Sequence, residues 1–246
     1  MFHIFKSSPK TPHEIFFHTD IHCHLVPGID DGQKEAEPAS ELVEREKGWG
    51  IDRIFATPHV TQDTYENTPG TIQPAFDLLK EAVGRKGIGV ELHYSAEYRM
   101  DNFFLQQIKA GNLRPFPNNF LLVENSFVQE AWNLDKLLFD LRVKGYIPVL
   151  AHPERYAYYW AKRNRYQQLK DAGILFQVNV LSLAGHYGKQ VRKVAEELMT
   201  NGWIDFLGTD MHNSEHADAL DHYFASKNFL HHARQLEGFI RNDTAF

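Results

Sequence analysis

Cysteine is almost missing from this chain: Cys23 is the one thiol in 246 residues. An intramolecular disulfide is therefore excluded, and the thiol content gives no sign of an oxidising compartment. Long apolar runs are missing too. No stretch of about 18 apolar residues occurs, which leaves no candidate for a spanning helix. The start, Met1-Phe2-His3-Ile4-Phe5-Lys6, has neither the basic head nor the apolar core of a signal peptide. The expectation is a soluble, cytoplasmic protein. Basic residues are in deficit, with 26 Lys and Arg against 32 Asp and Glu and a net charge of −6. Phosphate-backbone affinity is built on clustered Lys and Arg, so nucleic acid is not an expected partner. Three catalytic signatures are absent as well: the Gly-x-Ser-x-Gly elbow, the Gly-x-x-x-x-Gly-Lys phosphate loop, and an arginine six positions after Cys23, where Ile29 stands. Serine-hydrolase, nucleoside-triphosphatase and cysteine-phosphatase chemistries fall away together.

Linkers, repeats and low-complexity tracts are also lacking, so residues 1–246 read as one domain, with the segment before Ile15 as an N-terminal extension. The length suits a single α/β barrel, typically about 250 residues. Short runs rich in β-branched and aromatic residues predict strands at Ile15–Phe17 leading into Asp20–His24, then Ile51–Thr57, Val90–Ser95, Phe120–Val123, Ile147–Ala151, Ile174–Asn179 and Trp203–Gly208. Helical patterns lie between them at Pro38–Lys47, Thr71–Arg85, Glu130–Lys144, Arg163–Ala172 and Lys189–Thr200, and a last helix is expected over Ala225–Ile240. Residues 58–70 read as a loop. Strand–helix alternation of this kind predicts a parallel sheet, closed as a barrel or open and doubly wound.

The feature that composition leaves unexplained is the 14 histidines. His22 and His24 end the first strand, His59 follows the second, Glu97 the third, Glu124 the fourth, His152 the fifth, and Asp210 and His212 the seventh. The sixth ends instead in Asn179. In parallel α/β architectures the C-terminal edge is where sites are built. His22 and His24, two apart on a strand, point to one face, with Cys23 turned the other way. Taken singly, each of these residues is more ordinarily a hydrogen-bonded loop histidine or a salt-bridging carboxylate. Taken jointly, and with Asp31 from the loop after His24, so dense a gathering of imidazoles and carboxylates is costly without cations. The remaining histidines read as ordinary: His3, His13 and His18 precede the site, and His93 faces away from it. His186 lies near its edge, and His216, His222, His231 and His232 are expected in solvent.

Nitrogen and oxygen donors without thiolate suit Mn²⁺, Fe²⁺ or Zn²⁺. Nine donors exceed what one ion takes and suffice for three. Three divalent ions against four carboxylates and a bridging hydroxide leave the site locally positive, suited to a phosphate ester. Arg155, three residues after His152, is the natural phosphate clamp, with a surface ion pair to Glu154 or another carboxylate as the alternative. Lys189 is a weaker candidate.

The segments Asp20-Ile21-His22-Cys23-His24, Thr57-Pro58-His59, Ala96-Glu97-Tyr98, Val123-Glu124, Lys144 to Tyr156 with its Ala151-His152-Pro153-Glu154-Arg155 core, and Gly208 to Asn213 resemble the polymerase-and-histidinol-phosphatase (PHP) superfamily. More narrowly, they resemble the metal-dependent bacterial protein tyrosine phosphatases of capsule and exopolysaccharide loci. The resemblance implies a distorted, TIM-like (β/α)7 barrel holding three metal ions, Mn²⁺ first and Fe or Zn as alternatives, with no organic cofactor. It implies one ion on His22, His24, Glu97 and Asp210, a second on Glu97, Glu124 and His152, and a third on Asp31, His59 and His212, with Asp30 as the alternative to Asp31. Catalysis would rest on Glu97, His152 and Arg155, the last binding the substrate phosphate. The implied substrate is phosphotyrosine on the Tyr-rich tail of a cognate bacterial tyrosine kinase, and Tyr65, Tyr98 and Tyr156 are candidate walls for its ring. One departure is visible: some members carry a further Arg soon after the Asp-x-His segment, whereas Asn213-Ser214-Glu215-His216-Ala217 has none, leaving His216 as a substitute. A small-molecule phosphatase of the histidinol-phosphate kind and a non-catalytic, metal-bound regulatory binder are the alternatives. A polymerase-associated exonuclease is disfavoured by the acidic charge.

Overall fold

Nine strands carry the architecture in the computed structural model, which describes His13 and residues 15–246: β1 (Thr19–Cys23), β2 (Arg53–Ala56), β3 (His59–Val60), β4 (Glu91–Tyr94), β5 (Glu97–Arg99), β6 (Phe120–Glu124), β7 (Ile147–Ala151), β8 (Leu175–Asn179) and β9 (Phe206–Gly208). They pair in parallel as two sheets, β1-β2-β4 and β3-β5-β6-β7-β8-β9. The strand β2 passes into β3 across Thr57-Pro58, and β4 passes into β5 across Ser95-Ala96, so two chain segments leave one sheet and enter the other. Proline has no N–H to give a ladder, which suits Pro58 to the break. The arrangement then curls until its ends meet. Past the last strand, the Asp210 N–H donates to the His22 carbonyl at 2.7 Å, the His24 N–H donates to Met211, and Cys23 bridges Met211. At the opposite end the buried Asn242 side chain donates to the carbonyls of Thr19 and Leu207, tying β1 to β9.

Alternation along the strands sorts side chains into two layers. On β6, Leu121 and Val123 join the large core beneath the helices, while Phe120 and Leu122 face an inner core with Phe55, Phe116, Phe206 and Phe246. Glu124 continues the inner series by one step, which brings its carboxylate to the far end of that core.

Several expectations are corrected. Residues 15–17 are not strand, the segment 58–70 contains β3 and the start of the helix Pro69–Lys86, and His59 and Glu97 open short strands instead of trailing longer ones. The helix Asn102–Ala110 was not anticipated; Asp101 caps it by accepting from the Phe104 N–H, and Gly111 ends it in the left-handed region. The last two helices also differ: Ser214–Phe224 was not anticipated, and the expected Ala225–Ile240 is shortened to Lys227–Leu236, which Ser226 caps by accepting from the Phe229 N–H. His232 is buried on that second helix, 2.7 Å from the Tyr223 hydroxyl, not solvated. His3 lies outside the described residues. Among the described residues no helix is long and apolar enough to cross a membrane.

Candidate metal centre

All nine expected donors converge at the C-terminal edge of the curled sheet. Four atoms form one knot: His22 Nε2 lies 3.3 Å from Glu97 Oε2 and 3.5 Å from Asp210 Oδ1, and His24 Nε2 lies 3.6 and 3.2 Å from the same two oxygens. On one side His152 Nε2 stands 2.7 Å from Glu97 Oε1 and 4.0 Å from Glu124 Oε2. On the other side Asp31 Oδ1 faces His59 Nε2 at 3.4 Å and His212 Nε2 at 3.6 Å. His59 offers its second nitrogen as well, with Nδ1 3.0 Å from Glu97 Oε2. Of the two adjacent aspartates it is Asp31 that faces His59 and His212. Asp30 stands behind, its carboxylate 2.9 Å from His24 Nδ1 and accepting from the Gly32 N–H.

The electrostatics follow from crowding. Burial pushes Asp210 up, but His22, His24, His212 and Arg155 outweigh it and hold the carboxyl well below the usual range. Burial acts on Glu97 in the same way and is overcome by His22, His59 and His152. Burial and His59 lower the His24 imidazole, yet Asp210 and Asp30 drive it up to about 9. Whether the donors fit divalent ions is decided by their unused valences. His59 Nδ1, Glu97 Oε2, Glu124 Oε2, His152 Nδ1 and Asp210 Oδ1 are buried without a hydrogen-bond partner, and they are five of the ten such side-chain atoms among the described residues. Buried polar atoms are almost always paired. His59 Nδ1 and Glu97 Oε2 approach to 3.0 Å without the geometry of a bond, as donors aimed at a shared point do. The set fits divalent cations.

Strand β8 supplies no donor but a buried amide chain. Gln177 Oε1 accepts from His22 Nδ1 at 2.8 Å, Gln177 Nε2 donates to Asn179 Oδ1 at 2.9 Å, and Asn179 Nδ2 donates to Asp210 Oδ2 at 2.6 Å. Such partners fix the tautomer and aim of a ligating ring. Two glycines make room: a Cβ on Gly208 would fall 2.6 Å from His22 Cβ and 2.8 Å from Gln177 Nε2, and one on Gly32 would fall 2.1 Å from the His24 carbonyl oxygen. His152 and Asp210 adopt φ of 34° and 50°, a left-handed backbone that non-glycine residues take at a cost of about 1–3 kcal/mol and that clusters at functional sites.

Arg155 is not a surface residue paired with Glu154. Its guanidinium donates to Asp210 Oδ2 at 2.9 Å and packs on two rings, 4.7 Å from the centroid of Phe127 and 4.1 Å from that of Tyr187. Glu154 is buried beneath, accepting from the Asn179 N–H and the Ser182 hydroxyl. A cavity of about 330 Å³ opens over the donors, lined among others by Asp31, Glu124, Phe127, Arg155, Tyr187 and His216. Of the expected ring walls, Tyr98 and Tyr156 are buried and cannot serve, whereas Tyr65 stacks on His59 at 5.9 Å. Phe127 and Tyr187 were missed. Neither sits in a motif, and only the fold brings both to Arg155. Lys189 begins the helix Lys189–Thr200 and does not line the cavity.

An α/β chain with a curled parallel sheet and a histidine–carboxylate cluster at its C-terminal edge has counterparts. The family described as capsular polysaccharide synthesis, CpsB/CapC, matches residues 18–220. Tyrosine-protein phosphatase YwqE of Bacillus subtilis (strain 168) is 30% identical over 236 residues, covering 92% of this chain and 93% of that one. Putative tyrosine-protein phosphatase CapC of Staphylococcus aureus is 26% identical over 225 residues, covering 91% and 88%. Among solved structures, one from a study of YwqE from Bacillus subtilis and CpsB from Streptococcus pneumoniae, described as unique metal-dependent tyrosine phosphatases, superposes with a TM-score of 0.76 at 30% identity over 93% of this chain and 96% of that one. The chain belongs to the CpsB/CapC family.

Proposed function

We propose that this chain is a metal-dependent phosphotyrosine-protein phosphatase that acts on the tyrosine-rich tail of a cognate bacterial tyrosine kinase and so regulates capsule or exopolysaccharide synthesis. The observation that carries the reading is the set of buried, unpartnered nitrogen and oxygen atoms beneath a cavity that also holds Arg155. The similarity to named tyrosine phosphatases over nearly the whole chain supports it. The reading treats residues 1–246 as one domain and the nine strands as seven staves of a distorted barrel, β2–β3 and β4–β5 each counting once.

Three divalent ions, Mn²⁺ first, are part of the proposal. The close approach of His22, His24 and Asp210 to Glu97 Oε2 supports the first site. His152 at Glu97 Oε1, with Glu124 beside it, supports the second, and Asp31 between His59 and His212 supports the third. Divalent ions held there supply Lewis-acid polarisation of a phosphoryl group and a water of lowered pKa. Glu97 presents an oxygen to each of two donor groups and fixes their spacing. Arg155 binds phosphate oxygens, its guanidinium 4.1 Å from the centroid of Tyr187, which positions it. A phenol leaves with a pKa near 10, so the ester needs less help from a general acid than an alkyl ester does. A cytoplasmic location is part of the proposal.

Turnover of a phosphotyrosine peptide, with and without chelator, tests the reading. It is expected to need metal and to collapse in His152→Ala. Activity untouched by that substitution or by metal removal would overturn it, and equal turnover of histidinol phosphate would shift the assignment to small-molecule phosphatases.

A further inference from the structure

The segment after β6 is held from below and bare above. The Asn125 N–H donates to the Tyr156 hydroxyl at 2.9 Å, its Nδ2 donates to the Tyr159 hydroxyl, and the Tyr158 hydroxyl donates to the Ser126 carbonyl. Three tyrosines thus pin the two residues before Phe127. The Phe127 ring stands on this footing 44% exposed, stacked on His152 with centroids 5.6 Å apart and planes 16° from parallel. Its neighbours Val128 and Trp132 are exposed too. Much of this apolar lip stays in water at the rim of a charged centre, so burial alone does not account for it. Among the described residues lining the cavity, Phe127 is the one hydrocarbon side chain; the others carry carboxylate, imidazole, guanidinium, amide or phenol groups.

We propose that Phe127 is the residue that selects aryl over alkyl phosphate esters, by stacking against the substrate's phenyl ring at the cavity mouth; this rests on the phosphatase reading above. In a phenyl phosphate, ring and phosphorus are separated by a single oxygen. The protein places the matching partners side by side, with the Arg155 guanidinium 4.7 Å from the Phe127 centroid. A phosphate engaged by Arg155 therefore carries its ring to the exposed part of Phe127, where aromatic pairing and lost apolar surface both favour it. A phosphoserine or sugar phosphate engages Arg155 equally well and leaves Phe127 in water. Tyr187 has the other role: its ring packs on Arg155 at 4.1 Å and positions the guanidinium, whatever the ester.

The test uses the full chain loaded with Mn²⁺ and two non-hydrolysable probes, phenylphosphonate and methylphosphonate, titrated calorimetrically. Wild type is expected to favour the phenyl compound. Phe127→Ala should weaken phenylphosphonate by about tenfold, the upper end of what one aromatic pair contributes, with methylphosphonate little changed. KM for a phosphotyrosine peptide should rise by a similar factor with kcat less affected. Phe127→Trp should restore the preference, whereas Tyr187→Leu should weaken both probes alike. Retention of the phenyl preference in Phe127→Ala, in a wild type that hydrolyses phosphotyrosine, overturns this assignment alone; so does an equal loss on both probes. A wild type without phosphomonoester turnover overturns the phosphatase reading and this assignment together.

Discussion

Replacing Gln177 by leucine is the sharpest probe of how the centre is held. The side chain is fully buried and makes two bonds, accepting from His22 Nδ1 at 2.8 Å and donating to Asn179 Oδ1 at 2.9 Å. Leucine fits the space but leaves an imidazole N–H and an amide oxygen buried without partners. Each such group costs about 1–3 kcal/mol, so the fold should lose about 2–6 kcal/mol. In a chain of this size 1 kcal/mol moves the melting temperature by about 2–4 °C, so the drop should be at least about 4 °C. The second loss concerns the ion. With Nδ1 unanchored, the His22 ring is free to turn and Nε2 no longer points steadily at Glu97 and Asp210, and removing such a partner lowers metal affinity by about 10–100-fold. Competition for Mn²⁺ against a chromophoric chelator reads the affinity, and a melt without metal reads the stability. Gln177→Glu separates the two effects: it keeps an acceptor for His22 and loses the donor to Asn179, so it should hold metal better than the leucine variant. Affinity unchanged in Gln177→Leu would refute the idea that β8 aims the donor ring.

Gly208→Ala should damage both stability and Mn²⁺ affinity, because its methyl would meet His22 Cβ at 2.6 Å and Gln177 Nε2 at 2.8 Å; a variant that melts and titrates like wild type would show that the packing has slack. Arg155→Ala should lower kcat/KM for a phosphotyrosine peptide by about 10²–10³, as loss of a donor to developing charge does. Arg155→Lys should recover little of this, since an ammonium lacks the planar fork and the ring stacking; full rescue by lysine would remove the geometric role. Glu46 gives a pH prediction. Burial, and then Asp20, push its carboxyl well above the ordinary 4.5. A group whose pKa is higher folded than unfolded favours the native state when protonated, and that stability is lost as pH rises from about 4.5 through the folded value. Glu46→Gln should therefore melt higher than wild type at pH 8, with the gap narrowing as pH falls through the folded value and closed by about pH 4.5. A gap that stays constant across melts from pH 4 to 8 would contradict the assignment.

The convergence of the nine candidate donors was legible because a run of parallel strand delivers its end to one edge whatever its exact bounds. His59 and Glu97 illustrate this: each opens a strand of two or three residues instead of following a longer one, and each still arrives. Strands so short carry no readable period, which is why the breaks at Thr57-Pro58 and Ser95-Ala96 stayed hidden. The helix Asn102–Ala110 did have signals, a capping Asp101 and a terminal Gly111, and Ser226 was an equally readable cap near the start of the last helical stretch. His232 lies three residues after Phe229 and four before Leu236, on the buried face of its helix, so helical spacing had already placed it inside.

The supporting layer was illegible for a different reason. Gln177 and Asn179 have no titratable group and no motif, and the sixth strand was passed over because it ends without a donor. Their meaning lies in contacts with His22 and Asp210 across 155 and 31 residues of sequence. Tyr156 shows the converse: it was a candidate wall for the substrate ring, yet it is buried and its hydroxyl accepts from the Asn125 N–H, holding the segment on which Phe127 stands.

Anomalous diffraction from crystals grown with Mn²⁺, collected on both sides of the manganese edge, tests the central claim most directly. Three peaks are predicted: one among His22, His24, Glu97 and Asp210, one among Glu97, Glu124 and His152, and one among Asp31, His59 and His212. Maps without anomalous signal at this edge of the sheet, with the same imidazoles and carboxylates paired to one another in saturating metal, would contradict the account.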